Sequence, residues 1–178
     1  EPYAIAKIAG IKICESYNKQ YGNSHGIDYR CVMPTNLYGP GDNFNQTNSH
    51  VIPGLISRMY SAKKENLDSF SVWGTGTPLR EFLYVDDLSD AIAFIIQHRP
   101  DIKLLNVGSG KEILIKDLVM LIKDIVQFKG EIKFDHTKPD GNPRKLMDSS
   151  KLQNLGWMAN INLEEGLKKT YDWYIKTI

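Results

Sequence analysis

At 178 residues, with 42% hydrophobic and 24% charged side chains, the chain carries enough apolar material for an ordinary core, which argues against disorder. Its formal net charge is +1, and the basic residues fall singly or in pairs such as Lys63–Lys64, Arg144–Lys145 and Lys168–Lys169, so no continuous patch tracks a phosphate backbone and nucleic acid is not an expected partner. Cys14 and Cys31 lie in apolar runs with no second Cys or His at metal spacing, so we expect buried, reduced thiols in a cytoplasmic protein, with neither a disulfide framework nor a metal site.

The chain opens on Glu1–Pro2 and is at once inside a helical pattern, which reads as a fragment of a longer protein. Pro2 suits a first helical turn, and a helix is expected from there to about Tyr21, before Gly22. A strand is expected over 28–33, leading into the turn-rich run PTNLYGPGDNF, the kind of place where binding loops sit. A second helix should start near Ser49, with Ser49 as its cap, and close in SAKKEN. Strands follow at 69–73 and 81–85.

Three periodic helices come next, each with one stripe to bury: Leu88, Ala91, Ile92, Ile95 and Ile96; then Leu118, Leu121, Ile122, Ile125 and Val126; then Leu163, Leu167, Tyr171, Tyr174 and Ile175. Asn162 and Glu165 form a capping-box pattern ahead of the last. Short strands are expected at 104–107 and 131–134. Alternating strands and helices indicate an α/β fold with a largely parallel sheet. No apolar run nears the roughly eighteen residues of a membrane span, and no basic-then-apolar leader opens the chain.

Tyr3 and Lys7 make a Tyr-x-x-x-Lys pair, which on a helix shares one face. A phenol with a pKa of about 10 is a weak acid-base group near neutrality, and a neighbouring ammonium favours its ionised form. Tyr60 and Lys64 satisfy the same spacing on a helix read as ordinary surface, so spacing alone does not select a site. GSGK at 108–111 and GTG at 74–76 fail the phosphate-loop pattern, and no intact dinucleotide fingerprint is present. His50, at a helix start, reads as a surface or capping residue, as do His25, His98 and His136 by default. Arg80 reads either as a solvated Arg or as a bidentate phosphate clamp, and Trp73 either as core or as a stacking face.

Taken together, EPYAIAK, MPTNLYGPGDNF, NSHVIPGLI, VWGTGTPLREFLYVDDL, LLNVGSG and KPDGNPRK resemble, in order and spacing, the GDP-L-fucose synthases of the extended short-chain dehydrogenase/reductase superfamily. The Tyr-Lys pair, the PTNLYGP turn and the REFLYVDD strand are shared widely among nucleotide-sugar epimerases and dehydratases, whereas NSHVIPGLI and KPDGNPRK carry the narrower resemblance. It implies the carboxy-terminal part of a Rossmann-like, NADP-binding fold with a small α/β substrate domain. On that expectation residues 1–45 and 80–110 belong to the cofactor domain, residues 46–79 and 111–178 to the substrate domain, and strand 104–107 returns to strand 28–33.

The activity implied is epimerisation at the two carbons flanking the ketone of GDP-4-keto-6-deoxymannose, then reduction of that ketone by NADPH, in an enzyme that is a homodimer when complete. By the resemblance Tyr3 protonates the oxygen, Lys7 supports Tyr3 and the cofactor ribose, and His50 reprotonates the sugar beside the cofactor. Pro34, Thr35, Asn36 and Leu37 line the nicotinamide end, while Arg58, Trp73, Arg80, Asp140 and Lys145 hold the GDP-sugar. The family's glycine-rich loop and catalytic Cys are not in this sequence, so the chain alone is expected to be inactive. The alternatives are another nucleotide-sugar epimerase or dehydratase of the superfamily, or a non-catalytic nucleotide-binding module.

Overall fold

A computed structural model describes residues 2–178. Helix α1 (Pro2–His25) runs past the expected end at Tyr21. The stop is Gly26 rather than Gly22: Gly26 takes φ +67, and its N–H reaches the carbonyl of Gly22 at 3.0 Å. Strand β1 (Cys31–Pro34) begins later than the expected 28. Asn18 of α1 accounts for this, because it donates to the carbonyl of Tyr29 and accepts from its N–H, both at 2.7 Å, and so occupies main-chain groups that a strand would need. Strand β2 (Asn36–Tyr38) follows, a piece too short for periodicity to reveal.

Helix α2 (Val51–Lys64) has His50, not Ser49, at its N-cap, and no side chain makes the capping bond. Far from being surface, α2 buries Ile52, Leu55, Ile56, Met59 and Ala62, and Tyr60 is half-buried. Strand β3 (Ser69–Trp73) matches its expectation, while β4 (Leu79–Tyr84) starts before residue 81. Helix α3 (Val85–His98), β5 (Leu104–Val107), β6 (Glu112–Leu114), α4 (Ile115–Val126), β7 (Glu131–Asp135), β8 (Arg144–Lys145), α5 (Ser150–Asn154) and α6 (Leu163–Thr177) complete the order. The early start of β4 reflects β8 and β6, which pair with Leu79–Arg80 and Leu79–Glu81 and are themselves too short to read from sequence.

The strands form three small sheets rather than one: β1 with β5, β2–β4–β6 with β8 against β4, and β3 with β7. All pairings are parallel except β4 with β6, so the α/β class stands. As expected, 104–107 returns to the first strand, Cys31 opposite Leu104 and Pro34 opposite Val107. The stripes of α4 and α6 are largely buried, and Asn162 Oδ1 accepts from Glu165 N–H at 3.0 Å at the start of α6. On α3 only Ala91 and Ile95 of the expected apolar stripe are buried; Ile92 and Ile96 are exposed, as is Ile175 on α6. Cys14 and Cys31 are free but half-buried, not buried, and burial followed by the contact with Cys14 pushes the Cys31 thiol up.

Two apolar cores result. The larger gathers α2, β3, α4 and α6 around Ile56, Met59, Ile122 and Leu167, with Tyr38, Phe82 and Tyr84 from β2 and β4. The smaller gathers Leu105 and Val107 of β5, Ala91 and Ile95 of α3, Leu152 of α5 and Trp157. Alternation along β4 serves both, since Phe82 and Tyr84 face the larger core and Leu83 the smaller. Among the described residues no helix is long and apolar enough to cross a membrane.

Candidate active site

Parallel pairing of β3 with β7 puts Trp73 opposite Asp135, so the loops leaving both strands emerge at one carboxyl end, where α/β folds place their binding crevices. The first turns of α2 form the facing wall. Between them lies a cleft of about 540 Å³ whose lining includes His50, Arg58, Trp73, Arg80 and Asp140. Four residues far apart in sequence that were singled out for the sugar nucleotide are thus brought to one place, together with His50, expected beside the cofactor but absent from the lining of the cleft at residues 34–36.

Arg58 is half-buried on α2; its Nε donates to the carbonyl of Gly54 at 3.1 Å, and its guanidinium lies 5.6 Å from the Phe70 ring centroid. Burial pushes its pKa down, yet a guanidinium stays charged in proteins. Arg80 uses one Nη to donate to the carbonyl of Leu79 at 2.7 Å. Among the described residues neither guanidinium has a carboxylate within ion-pair distance. Asp140, in the same cleft, feels the charge of Arg80 without pairing with it, and two cations against one carboxylate still suit an anion with several oxygens; the N-terminal turn of α2 adds its dipole in the same sense.

Trp73 is 69% exposed although it ends a strand whose neighbours are core, and its ring lines the cleft with Lys138 Nζ 5.7 Å from its centroid, an aromatic face of the kind that can stack on a planar base. Asp140 is committed elsewhere: Oδ1 accepts from Thr75 N–H at 2.9 Å and Oδ2 from Thr75 Oγ1 at 2.6 Å. The Thr75 hydroxyl first, then its N–H, holds the Asp140 carboxyl below the usual range. This clasp joins the loops after β3 and β7, and Gly74, at φ +83, is needed there because a Cβ would fall 2.3 Å from Asp140 Oδ1. His50 sits at the rim with its side chain 87% exposed and Nδ1 4.0 Å from Asp42 Oδ1.

Lys145 does not line this cleft. It lines a smaller one of about 380 Å³ with Pro34, Thr35, Asn36, Leu146 and Met147, because β8 runs beside β4 with Lys145 opposite Arg80. Leu37 packs against the smaller core instead. Tyr3 and Lys7 line neither cleft; Tyr3 is 76% exposed, and Lys7 Nζ stands 5.2 Å from its ring centroid. The sequence reading passed over Thr75, Asp42 and Glu81. Thr75 and Asp42 sit in Gly-rich turns whose composition signals a loop but not its contacts, and Glu81 was hidden by an ordinary strand pattern.

The family model described as NAD dependent epimerase/dehydratase family matches residues 1–108, and the chain belongs to that family. It is 54% identical over 178 residues to the probable GDP-L-fucose synthase 1 of Oryza sativa subsp. japonica, covering 100% of this chain and 53% of that protein. To the GDP-L-fucose synthase of Escherichia coli (strain K12) it is 50% identical, over 99% of this chain and 56% of the relative. A crystal structure of a GDP-L-fucose synthetase from Naegleria fowleri bound to NADP superposes with a TM-score of 0.89 at 31% identity, over 98% of this chain and 56% of that one. The chain therefore spans about half the length of the curated relatives it matches.

Proposed function

We propose that this chain is the carboxy-terminal, sugar-nucleotide-binding portion of an enzyme that converts GDP-4-keto-6-deoxymannose to GDP-L-fucose by epimerisation and NADPH-dependent reduction. The observation that carries the reading is the large cleft, which gathers an exposed Trp, two guanidiniums without carboxylate partners and a rim His. Relatives named for this activity at 54% and 50% identity support the choice of sugar nucleotide.

In the proposed mechanism Arg58 and Arg80 neutralise the diphosphate, Trp73 stacks on the base, and the Thr75–Asp140 clasp shapes the loop beneath it. Protons α to a ketone are removable because charge moves to the carbonyl oxygen; on this reading the family's catalytic Cys, which this sequence does not hold, takes one and His50, at the cleft rim, returns one to the sugar ring. Tyr3 protonates that oxygen during reduction, supported by Lys7. Pro34, Thr35 and Asn36 would face the nicotinamide end of NADPH, whose chemistry is hydride donation, with Leu37 packed behind them on the smaller core. The smaller cleft fits one end of such a cofactor, being lined by the 34–36 turn and one cation, but the chain has no glycine-rich fingerprint for the pyrophosphate. Lys145 belongs by position with this cleft.

The division into a cofactor portion (1–45 and 80–110) and a substrate portion (46–79 and 111–178) draws partial support from the two cores, which cross these bounds in both directions: Leu152 and Trp157 pack in the smaller core, and Tyr38, Phe82 and Tyr84 in the larger. A homodimer is supported by the apolar residues that α1 leaves exposed, and a cytoplasmic setting by the free thiols.

The test is NADPH oxidation by the complete protein given GDP-4-keto-6-deoxymannose. Oxidation with formation of GDP-L-fucose supports the reading. Binding without oxidation makes the protein a nucleotide-binding module, and turnover of a different nucleotide sugar moves it elsewhere in the family.

A further inference from the structure

Glu81 carries a carboxylate with 0% exposure that the proposed chemistry does not use. Successive side chains of a strand point to opposite faces, so Arg80 reaches the large cleft while Glu81 turns to the other side of β4. There Oε1 accepts from Gly110 N–H at 2.7 Å and Oε2 from Met147 N–H at 3.0 Å. Its main-chain carbonyl accepts from Asn36 Nδ2 at 2.8 Å and Thr35 Oγ1 at 3.3 Å. Three distant pieces of chain meet at one residue: the turn between β1 and β2, the turn after β5, and the segment after β8.

An ionised carboxylate is costly to bury, and an apolar side chain would fill the space more cheaply. A carboxylate presents a separate acceptor oxygen to each of the two N–H groups; a Gln must turn its own N–H₂ towards one of them, donor against donor. The fit is tight on the remaining side as well. A Cβ at Gly108 would fall 2.3 Å from Glu81 Oε1 and 2.8 Å from Ser149 Oγ, a buried hydroxyl with no hydrogen-bond partner among the described residues. Thr35, Asn36 and Met147, all tied to Glu81, line the smaller cleft together with Lys145, and Lys145 lies opposite Arg80 in the β4–β8 ladder.

We infer that Glu81 is a positioning residue for the smaller cleft: through Met147 N–H and Gly110 N–H its carboxylate holds the Lys145–Met147 segment against the 34–36 turn, which the main-chain carbonyl of the same residue holds, in the arrangement that receives the nicotinamide end of the cofactor. The inference rests on the proposed NADPH reading. The Glu81 side chain acts through Met147 and Gly110 rather than on either ligand.

The experiment compares wild type with Glu81→Gln in the complete protein, reading NADPH and GDP affinity by titration and kcat and KM by NADPH oxidation. Loss of one charge-assisted hydrogen bond and creation of a donor–donor clash should weaken NADPH binding about tenfold or more and lower kcat, with GDP affinity and the KM for the GDP-sugar nearly unchanged. A general loss of stability would not split the two ligands in this way. Gly108→Ala, which crowds the carboxylate without removing it, should give the same split if Glu81→Gln does not fold. A third reading uses wild type alone: NADPH should slow amide exchange at Gly110 and Met147. Folded variants with wild-type NADPH affinity, or exchange at both amides indifferent to NADPH, overturn the inference. Wild type that binds no NADPH overturns the functional reading on which it stands.

Discussion

Two Tyr-x-x-x-Lys pairs, one on α1 and one on α2, share a spacing and a local geometry, with the ammonium 5.2 Å from the Tyr3 ring centroid and 5.5 Å from that of Tyr60. Their surroundings differ completely. Tyr60 packs edge-on against Tyr171 and Tyr174 in the larger core, and α2 carries much of that core's apolar surface. Among the described residues α1 buries none of its side chains, and Ile5, Ile8, Ile13 and Tyr17 are exposed around it. A helix apolar on several sides is one that other chain covers. On α2 the tyrosine of the pair is therefore taken up in packing, whereas on α1 both members of the pair are exposed. Spacing supplies the local contact, and environment decides whether it is structure or chemistry.

The largest effect expected from this contrast is kinetic. On the proposed role, Tyr3→Phe in the complete protein should lower the rate of reduction by about 10²- to 10⁴-fold, with GDP-sugar binding nearly intact because the ring is kept. Tyr60→Phe should leave turnover near wild type. Normal turnover in Tyr3→Phe would erase the functional difference between the two pairs.

Next in size is stability, read by urea denaturation of this chain. Met59→Ala in α2 removes a side chain with 0% exposure and should cost about 2–5 kcal/mol. Ile8→Ala on α1, at 58% exposure, should stay within about 0.5 kcal/mol. A comparable cost at Ile8 would mean that α1 is already covered, and its dependence on protein concentration would then tell self-association from intramolecular packing.

The smallest effect concerns the join between α1's end and the β1–β5 sheet. Hydrogen bonds from Arg30, then from Lys103, pull the Asp28 carboxyl down from its ordinary 3.8 to about 2. A folded-state value below the unfolded one gives stability that is complete above the ordinary value and is lost as pH falls through the folded value. The window is therefore between about pH 4 and about pH 2. Because the Asp28 side chain is 35% exposed, solvent screens the pair and the contribution should be under about 1 kcal/mol. Asp28→Asn should flatten that part of the acid limb by the same amount, and an unchanged limb would show that the ion pair does not contribute.

Within the larger core α4 and α6 were legible because their apolar positions recur at one period over many residues, whereas α2 was expected as a helix but read as surface although it buries Ile52, Leu55, Ile56 and Met59. What escaped was short or borrowed. Strands β2, β6 and β8 are stabilised by pairing with β4 rather than by any pattern of their own, and Tyr29 leaves its strand because Asn18 takes its backbone groups. At the candidate site, residue type and family resemblance pointed to His50, Arg58, Trp73, Arg80 and Asp140, which the fold assembles. Lys145 was assigned to the sugar nucleotide, but ladder register carries it to the other cleft. Glu81 was illegible for a related reason: its partners lie 29 and 66 residues away, and no local signal marks a carboxylate that binds two distant backbone amides.

The central claim is that the larger cleft binds a nucleoside diphosphate through its guanidiniums, and calorimetric titration of GDP into wild type and Arg80→Lys tests it most directly. Lys keeps the charge and loses the planar fork, so affinity should fall by about 1.5–3 kcal/mol, roughly tenfold to more than a hundredfold. Equal GDP affinity in the two proteins would contradict the account and leave Arg80 as scaffolding.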